Sequence, residues 1–246
     1  MSEIIYGRNA VRECLRARRR HVHALLLADN VEPSPILQEI QQLAQQLKVA
    51  IKPVNRKKLD DLGRGNQGVA LEVGRYPLVE IEQIMAIAEK RQQPPFIVVL
   101  DHLEDPHNVG AILRTAEVVG VHGVILPKQR AADITPSVVN VSAGAAEHLA
   151  IAQVPNLVQI LKKLKSGGVW VAGLEGSAKA QPFHEANLSG AIALVIGNEG
   201  LGMSRLVEET CDFLIKIPMQ GQIESLNASV AGSLALYEVW RGRKFS

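Results

Sequence analysis

Residues 191–202, AIALVIGNEGLG, run from an unbroken apolar stretch, Ala191 to Ile196, into a glycine-rich polar loop, Gly197 to Gly202. An apolar run without polar alternation is the pattern of a strand covered on both faces, hence of a parallel sheet flanked by helices. The loop resembles a phosphate cradle only superficially. Its glycines are not spaced as G-x-G-x-x-G, and Glu199 would repel a pyrophosphate. A carboxylate there suits a cationic ligand such as a sulfonium, or a hydroxyl that must be oriented. The structural alternative is a turn in which Glu199 complements a helix dipole.

The same rhythm extends outward in both directions. Phe96 to Leu100, Gly123 to Leu126, Leu149 to Val154, Val169 to Leu174 and Phe213 to Ile217 are further short runs rich in Val, Ile and Leu. Amphipathic stretches separate them, among them Val109 to Val119, Leu157 to Leu164 and Leu226 to Trp240. Two more polar segments join the glycine loop: NVGAILR, Asn108 to Arg114, and SLNAS, Ser225 to Ser229. Each is read as the opening of a helix after a strand, so all three should meet at one edge of the sheet, where open α/β folds place their ligands. Asn108 is expected to cap a helix starting at Val109. Ser225 and Asn227 both suit the cap of the last helix, and one cap suffices, which frees the other for a substrate. A capping Asn, a solvated Arg114 and surface polar residues are the alternative for these segments taken singly.

The front of the chain differs. Helix patterns over Arg8 to Arg18, Ser34 to Leu47 and Arg56 to Leu62 alternate with strands His23 to Leu27, Val49 to Val54 and Val69 to Val73, which is a small α/β module. Residues 76–95 read as a linker containing a helix, Glu82 to Arg91. The whole chain carries 27 Lys+Arg and 25 Asp+Glu, divided as 13 against 8 over residues 1–75 and 14 against 17 over residues 76–246. A basic module joined to a mildly acidic one points to polyanion binding beside a separate chemical site, with simple surface solubility as the alternative. Arg16, Arg18, Arg19, Arg20 and Arg64 are the expected phosphate contacts.

Two cysteines, Cys14 and Cys211, without Cys-x-x-Cys or paired-histidine spacing, support neither a disulfide framework nor a metal site. His102, His107 and His148 have no acid or thiol at a telling spacing, and Ser142 to Ala146 reads as a close helix contact. No targeting segment and no membrane span is read, so the expected setting is the cytoplasm and no membrane.

Taken in order, Asp105-Pro106-His107-Asn108-Val109-Gly110 with Arg114, then Gly197-Asn198-Glu199-Gly200-Leu201-Gly202, then Ile217-Pro218-Met219 with Ser225-Leu226-Asn227-Ala228-Ser229 resemble the three motifs of the SpoU/TrmH class of 2′-O-ribose RNA methyltransferases, in the SPOUT superfamily. Ile5-Tyr6-Gly7 and Asn66-Gln67-Gly68 resemble the substrate-binding domain of that class, and the closest likeness is to RlmB-type enzymes acting on a guanosine ribose of large-subunit ribosomal RNA. The resemblance implies an α/β chain with a trefoil-knotted parallel-sheet domain at 96–246, a linker at 76–95 and a ribosomal-protein-like RNA substrate-binding domain at 1–75. It also implies S-adenosylmethionine as methyl donor, held at Gly197, Ile217, Leu226, Leu174 and Glu175, no metal, and a homodimer whose sites use both subunits. Asn108, Arg114, Glu199, Ser225 and Asn227 become the catalytic set. Ala228 departs from the class, which commonly has a larger aliphatic residue there.

The chemistry gives these residues tasks. A ribose 2′-hydroxyl is a weak nucleophile and a weaker acid, so its oxygen must be aimed at the methyl carbon while its proton leaves. Arg114 is assigned to the hydroxyl and the adjacent phosphate, Asn108, Asn227 and Ser225 to orienting it, and Glu199 to holding the loop and balancing charge. A guanidinium ordinarily stays protonated, so electrostatic stabilisation of the developing alkoxide is preferred over a general-base role for Arg114. Transfer RNA as substrate, and a non-catalytic RNA-binding assembly protein, are the competing readings. A doubly wound nucleotide enzyme lacks its glycine fingerprint here.

Overall fold

The computed structural model describes residues 2–63, 65–129, 131–223 and 225–245, and divides into two units, 1–77 with 133–148, and 78–132 with 149–246. The first unit begins with β1 (Glu3–Tyr6), α1 (Arg8–Ala17), β2 (Val22–Ala28), α2 (Pro35–Gln46), β3 (Ala50–Val54), α3 (Arg56–Asp60) and β4 (Val69–Val73). Its four strands lie in the order β1-β4-β2-β3, with β2 and β3 parallel and the other pairs antiparallel. Strand β1, too short and too near the start to show periodicity, was not anticipated. Helix α2 starts where Ser34 accepts from the Leu37 N–H, with Pro35 in the first turn, a pairing that satisfies one open donor and presets φ.

The second unit opens with α4 (Ile81–Lys90), set by a Glu80/Gln83 capping box, followed by β5 (Phe96–Leu100), α5 (Pro106–Val118) and β6 (Gly123–Pro127). The chain then leaves it through α6 (Pro136–Val141) and a 3₁₀ turn (Ala145–His148), which pack in the first unit. It returns as β7 (Ile151–Val154), α7 (Leu157–Ser166), β8 (Trp170–Leu174), β9 (Gln181–Pro182), β10 (Ile192–Ile196), α8 (Arg205–Thr210), β11 (Phe213–Lys216) and α9 (Ala228–Gly242). The seven strands run in the order β7-β6-β5-β10-β8-β11-β9, all pairs parallel. Every residue of β5, β6 and β10 is buried, as continuous apolar strands between two helical layers must be.

Two boundaries differ from those read in the sequence. Residues 76–95 are no free linker: Ile81 and Ile84 of α4 belong to the sheet's core, and a Cβ added at Gly123 of β6 would lie 2.6 Å from Ile84 Cδ1. Residues 133–148 belong by contact with the front unit. Gly144, at φ +88°, lies so close to α1 that a Cβ would meet Glu13 Cβ at 2.7 Å and Ala10 Cα at 3.1 Å, which is the close contact expected of the small-residue run. Among the described residues no helix is long and apolar enough to cross a membrane.

Candidate functional site

Strand register decides where the three polar segments emerge. Ile196 of β10 stands opposite both Leu100 of β5 and Leu174 of β8, and Leu174 stands opposite Ile215 of β11. The four strands therefore end together, and the chain segments after them leave from one edge of the sheet. This is the carboxyl edge, where an α/β sheet offers its crevice.

After β10 the chain folds back on itself. Asn198 and Gly202 exchange backbone hydrogen bonds of 2.9 and 3.0 Å, and Gly200 and Gly202 adopt φ +85° and +68°. A Cβ at Gly197 would lie 2.4 Å from Gly202 C and from Met203 N, so only glycine permits the closure. Helix α8 starts later, at Arg205. The loop is thus a bridged turn rather than a helix N-terminus, correcting the expectation for this segment. At its tip Glu199 reaches the other two segments.

Asn108 is not the cap of α5. Asp105 is, its Oδ1 accepting from the His107 N–H at 3.0 Å, with Pro106 in the first turn. Asn108, one turn inside and 6% exposed, therefore keeps its amide for tertiary contacts. Asn227 does cap α9: its Oδ1 accepts from the N–H groups of Ser229 and Val230. That role fixes the orientation of its amide, and Nδ2 donates to Asn108 Oδ1 at 2.9 Å and to Glu199 Oε2 at 3.0 Å. Asn108 Nδ2 in turn donates to Glu199 Oε2 at 3.0 Å. One carboxylate oxygen thus holds two amides, and among the described residues Oε1 has no hydrogen-bond partner. Capping and membership of the polar cluster, tasks expected of two different residues, fall together on Asn227.

Beside this cluster lies a cavity of about 980 Å³ lined by Leu174, Glu175, Gly197, Ile217 and Leu226, with Glu199 and Ser225 also on its wall. All five positions expected to hold a cofactor face one space. Ser177, not singled out from sequence, lines it too, and its buried Oγ has no partner among the described residues. No periodicity marks a lone serine in the loop after a strand. Asp101 was also overlooked: wholly buried at the end of β5, it accepts from the Ser204 N–H at 2.6 Å and contacts the ring of His102. His102 thus does have an acidic partner, its own neighbour, and Asn198 Nδ2 donates to its carbonyl at 2.7 Å. His148 likewise pairs with Glu13 at 2.9 Å.

Arg114 stands apart. It is exposed on α5, six residues beyond Asn108, which is about 9 Å along a helix axis, and makes no ion pair with the cluster among the described residues. The front arginines also distribute unevenly. Arg20 has a fully buried side chain, donating to Glu147 Oε2 at 3.1 Å, to Glu3 at 2.6 Å and to the Gly74 carbonyl at 3.1 Å. It cannot touch a phosphate, and that expectation is corrected. Arg19 donates to the carbonyls of Glu147 and Pro77 and to Tyr76 Oη, and Arg16 is paired with Glu13 and Glu39. Arg18 ends α1 in the left-handed region at φ 54°, and Arg64 lies outside the described residues. Among the described residues no three His, Cys, Asp or Glu side chains group as a metal site.

The family model described as the SpoU rRNA methylase family matches residues 95–237, and one described as RNA 2′-O ribose methyltransferase substrate binding matches residues 4–79. A Bacillus subtilis protein described as a putative TrmH family tRNA/rRNA methyltransferase is 44% identical over 242 residues, 98% of this chain and 96% of the relative. A crystal structure described as an RNA 2′-O ribose methyltransferase matches with a TM-score of 0.80 at 26% identity, over 100% of this chain and 90% of that one. The SpoU methyltransferase AviRb from Streptomyces viridochromogenes, solved in complex with AdoMet, matches in fold with a TM-score of 0.83 at 24% identity, over 99% and 91%.

Proposed function

The chain belongs to the SpoU methylase family of RNA methyltransferases, and from that premise we propose that it transfers a methyl group from S-adenosylmethionine to a ribose 2′-hydroxyl of RNA, a guanosine in large-subunit ribosomal RNA. The observation that carries the reading is the hydrogen-bonded trio Asn108, Glu199 and Asn227, drawn from three distant segments, whose Glu199 lines one glycine-walled cavity. The residues present fit the donor. Leu174, Ile217 and Leu226 offer apolar wall for an adenine, Glu175 and the unpartnered Ser177 Oγ offer polar contacts for a sugar, and Glu199 supplies negative charge for a sulfonium.

Bound there, S-adenosylmethionine supplies an electrophilic methyl carbon. The chain's own residues handle the nucleophile. Asn108 and Asn227, locked by Glu199 Oε2, orient the ribose hydroxyl, and Glu199 Oε1 remains for a ligand. Ser225, on the cavity wall, is assigned to orienting the same hydroxyl. Pre-fixed dipoles of this kind cost no reorganisation as charge develops. Arg114 stabilises the oxygen as it loses its proton and contacts the adjacent phosphate, the proton leaving through water or phosphate.

The distance of Arg114 from the trio is accounted for by a homodimer. Val230, Leu234 and Tyr237 form an i, i+4, i+7 stripe on α9, 47, 44 and 45% exposed, and Val118 of the neighbouring α5 adds to it at 55%. Pairing two such faces buries them and brings Arg114 of one protomer to the Glu199 cluster of the other. The knotted threading expected from the resemblance belongs to the same proposal.

The test compares large-subunit ribosomal RNA and transfer RNA from cells lacking this chain as substrates with purified protein and donor. Preferred methylation of ribosomal RNA at a guanosine ribose supports the reading. Preference for transfer RNA moves the substrate, and binding of RNA without any transfer defeats the assignment as an enzyme.

A further inference from the structure

The front unit holds a second cleft, of about 440 Å³, lined by Arg8, Asn30, Glu32, Arg56 and Gln67. Its size falls within the roughly 300 to 1,000 Å³ usual for small-ligand sites. The sequence directed attention to Arg16 to Arg20 instead, and those side chains are largely committed to carboxylates and carbonyls. Arg8 is bound quite differently. Its Nε donates to the Gln67 carbonyl at 3.3 Å, Nη1 to Ser34 Oγ at 2.9 Å and Nη2 to the Glu32 carbonyl at 3.3 Å. All three acceptors are neutral, so the guanidinium is held in place and, among the described residues, its charge meets no paired carboxylate. A fixed, uncompensated cation is a preformed anion site.

The rest of the cleft adds shape and reading groups. Arg56, exposed at the start of α3, pairs through Nε with Asp60 at 3.3 Å and lines the cleft, followed by exposed Lys57 and Lys58. Gln67 and Gly68 both lie in the left-handed region, at φ 53° and 78°. For glutamine that conformation costs about 1–2 kcal/mol, a strain that concentrates at functional loops. The loop turns Gln67 Oε1 onto the Arg8 N–H at 3.0 Å, leaving its Nε2 without a partner among the described residues. A Cβ at Gly68 would lie 3.2 Å from Arg56 Nη1, so the glycine also makes room for the second arginine. Side-chain amides at Asn30 and Gln67 have the donors and acceptors that read the edge of an unstacked base. Glu32 on the rim disfavours a purely anionic ligand and is compatible with donors on a base or ribose.

We propose that this cleft receives one splayed nucleotide of the RNA substrate, its phosphate against Arg8 and Arg56 and its base edge against Asn30 and Gln67. The inference rests on the reading of the chain as an RNA methyltransferase and adds a grip in the front unit, separate in sequence from the residues of the methyl-transfer cavity. Fluorescence anisotropy with in vitro transcribed large-subunit ribosomal RNA, at several salt concentrations, tests it. The double variant Arg56→Gln with Asn30→Ala, both exposed or rim positions, should raise Kd more than tenfold, and losing Arg56 should lower the salt slope by about one. Arg8→Gln should do the same if folded, as checked by thermal unfolding. Lys163→Gln, an exposed position on α7, should stay within twofold of wild type, and donor binding by calorimetry should be unchanged in all three. Binding by the double variant within twofold of wild type overturns the cleft. Absence of RNA binding by the unaltered chain overturns the enzyme reading beneath it, a distinguishable failure.

Discussion

Asn227 shows how one side chain can serve a helix and a site at once. Its oxygen caps α9 while its nitrogen holds Asn108 and Glu199, so Asn227→Ala should cost about 1 kcal/mol of stability from the cap and a much larger share of transfer rate. Asn227→Asp, which keeps the cap oxygen but sets a second carboxylate beside Glu199, should leave α9 folded by circular dichroism and lose the activity. Arg114→Ala should slow the single-turnover methyl-transfer step on the order of 10²-fold with donor affinity unchanged. An unaltered chemical step would remove Arg114 from the mechanism. Away from the site, His122 offers a pH readout. Buried at 2% exposure, it accepts from the Phe96 N–H through Nδ1 at 2.9 Å, which requires the neutral ring. Burial, with Arg91 and Arg243 nearby, pushes its pKa down to about 4. The unfolded chain takes up this proton near pH 6.5 and the folded chain only near pH 4, so stability is full above pH 6.5 and falls as pH drops through that window, by at most about 3 kcal/mol. Denaturant unfolding of wild type and His122→Gln between pH 7 and 4 should show the slope in the first and a flatter profile in the second. The convergence of the segments that carry Asn108, Glu199 and Asn227 was legible because short polar residues interrupt apolar runs there. The burial of Arg20 was not, because its partner Glu147 lies 127 positions away.

Elements were legible in proportion to their periodicity. The strands β5, β6 and β10 are continuous apolar runs and were placed within a residue or two. Short elements escaped: β1, β9, α6 and α8 have between two and six residues each, too few for a pattern to rise above chance. The loop after β10 shows an element fixed by a backbone contact. Gly197→Ala would force a Cβ into Gly202 and Met203, and calorimetry should find donor binding lost or weakened beyond tenfold while the fold, followed by circular dichroism, persists. The departure at Ala228 has a local setting here: the residue is buried and lines the cavity, so a larger side chain would enlarge the wall at the expense of the space. The stripe on α9 carries its own prediction. Leu234→Glu should convert a dimer to a monomer in sedimentation and abolish transfer while leaving the helix intact, whereas a variant that stays dimeric or stays active as a monomer would refute the shared-site arrangement.

At the scale of the whole chain, the charge split and the change of rhythm near residue 96 suggest two parts, whereas contacts divide the chain after residue 77 and add residues 133–148 to the front unit. Sequence order hides such returns, because nothing in a local window records which sheet a helix will join. The buried pair of Arg20 and Glu147, side chains wholly enclosed, binds this excursion to the front unit. Burial also holds the Glu147 carboxyl above its ordinary range. Glu147→Ala should therefore destabilise the front unit by up to roughly 3 kcal/mol, read by hydrogen exchange in β1 and α1, because an enclosed guanidinium then keeps only Glu3 of the two carboxylates it pairs with among the described residues. In the proposed reaction the front unit grips RNA and the sheet edge delivers the methyl group. Incubating the purified chain and ribosomal RNA with methyl-labelled S-adenosylmethionine, then digesting the RNA to nucleosides for mass spectrometry, tests this most directly. The account predicts one labelled methyl on a ribose 2′-oxygen, absent with Asn227→Asp; label on a base, or an RNA returned without label, would contradict it.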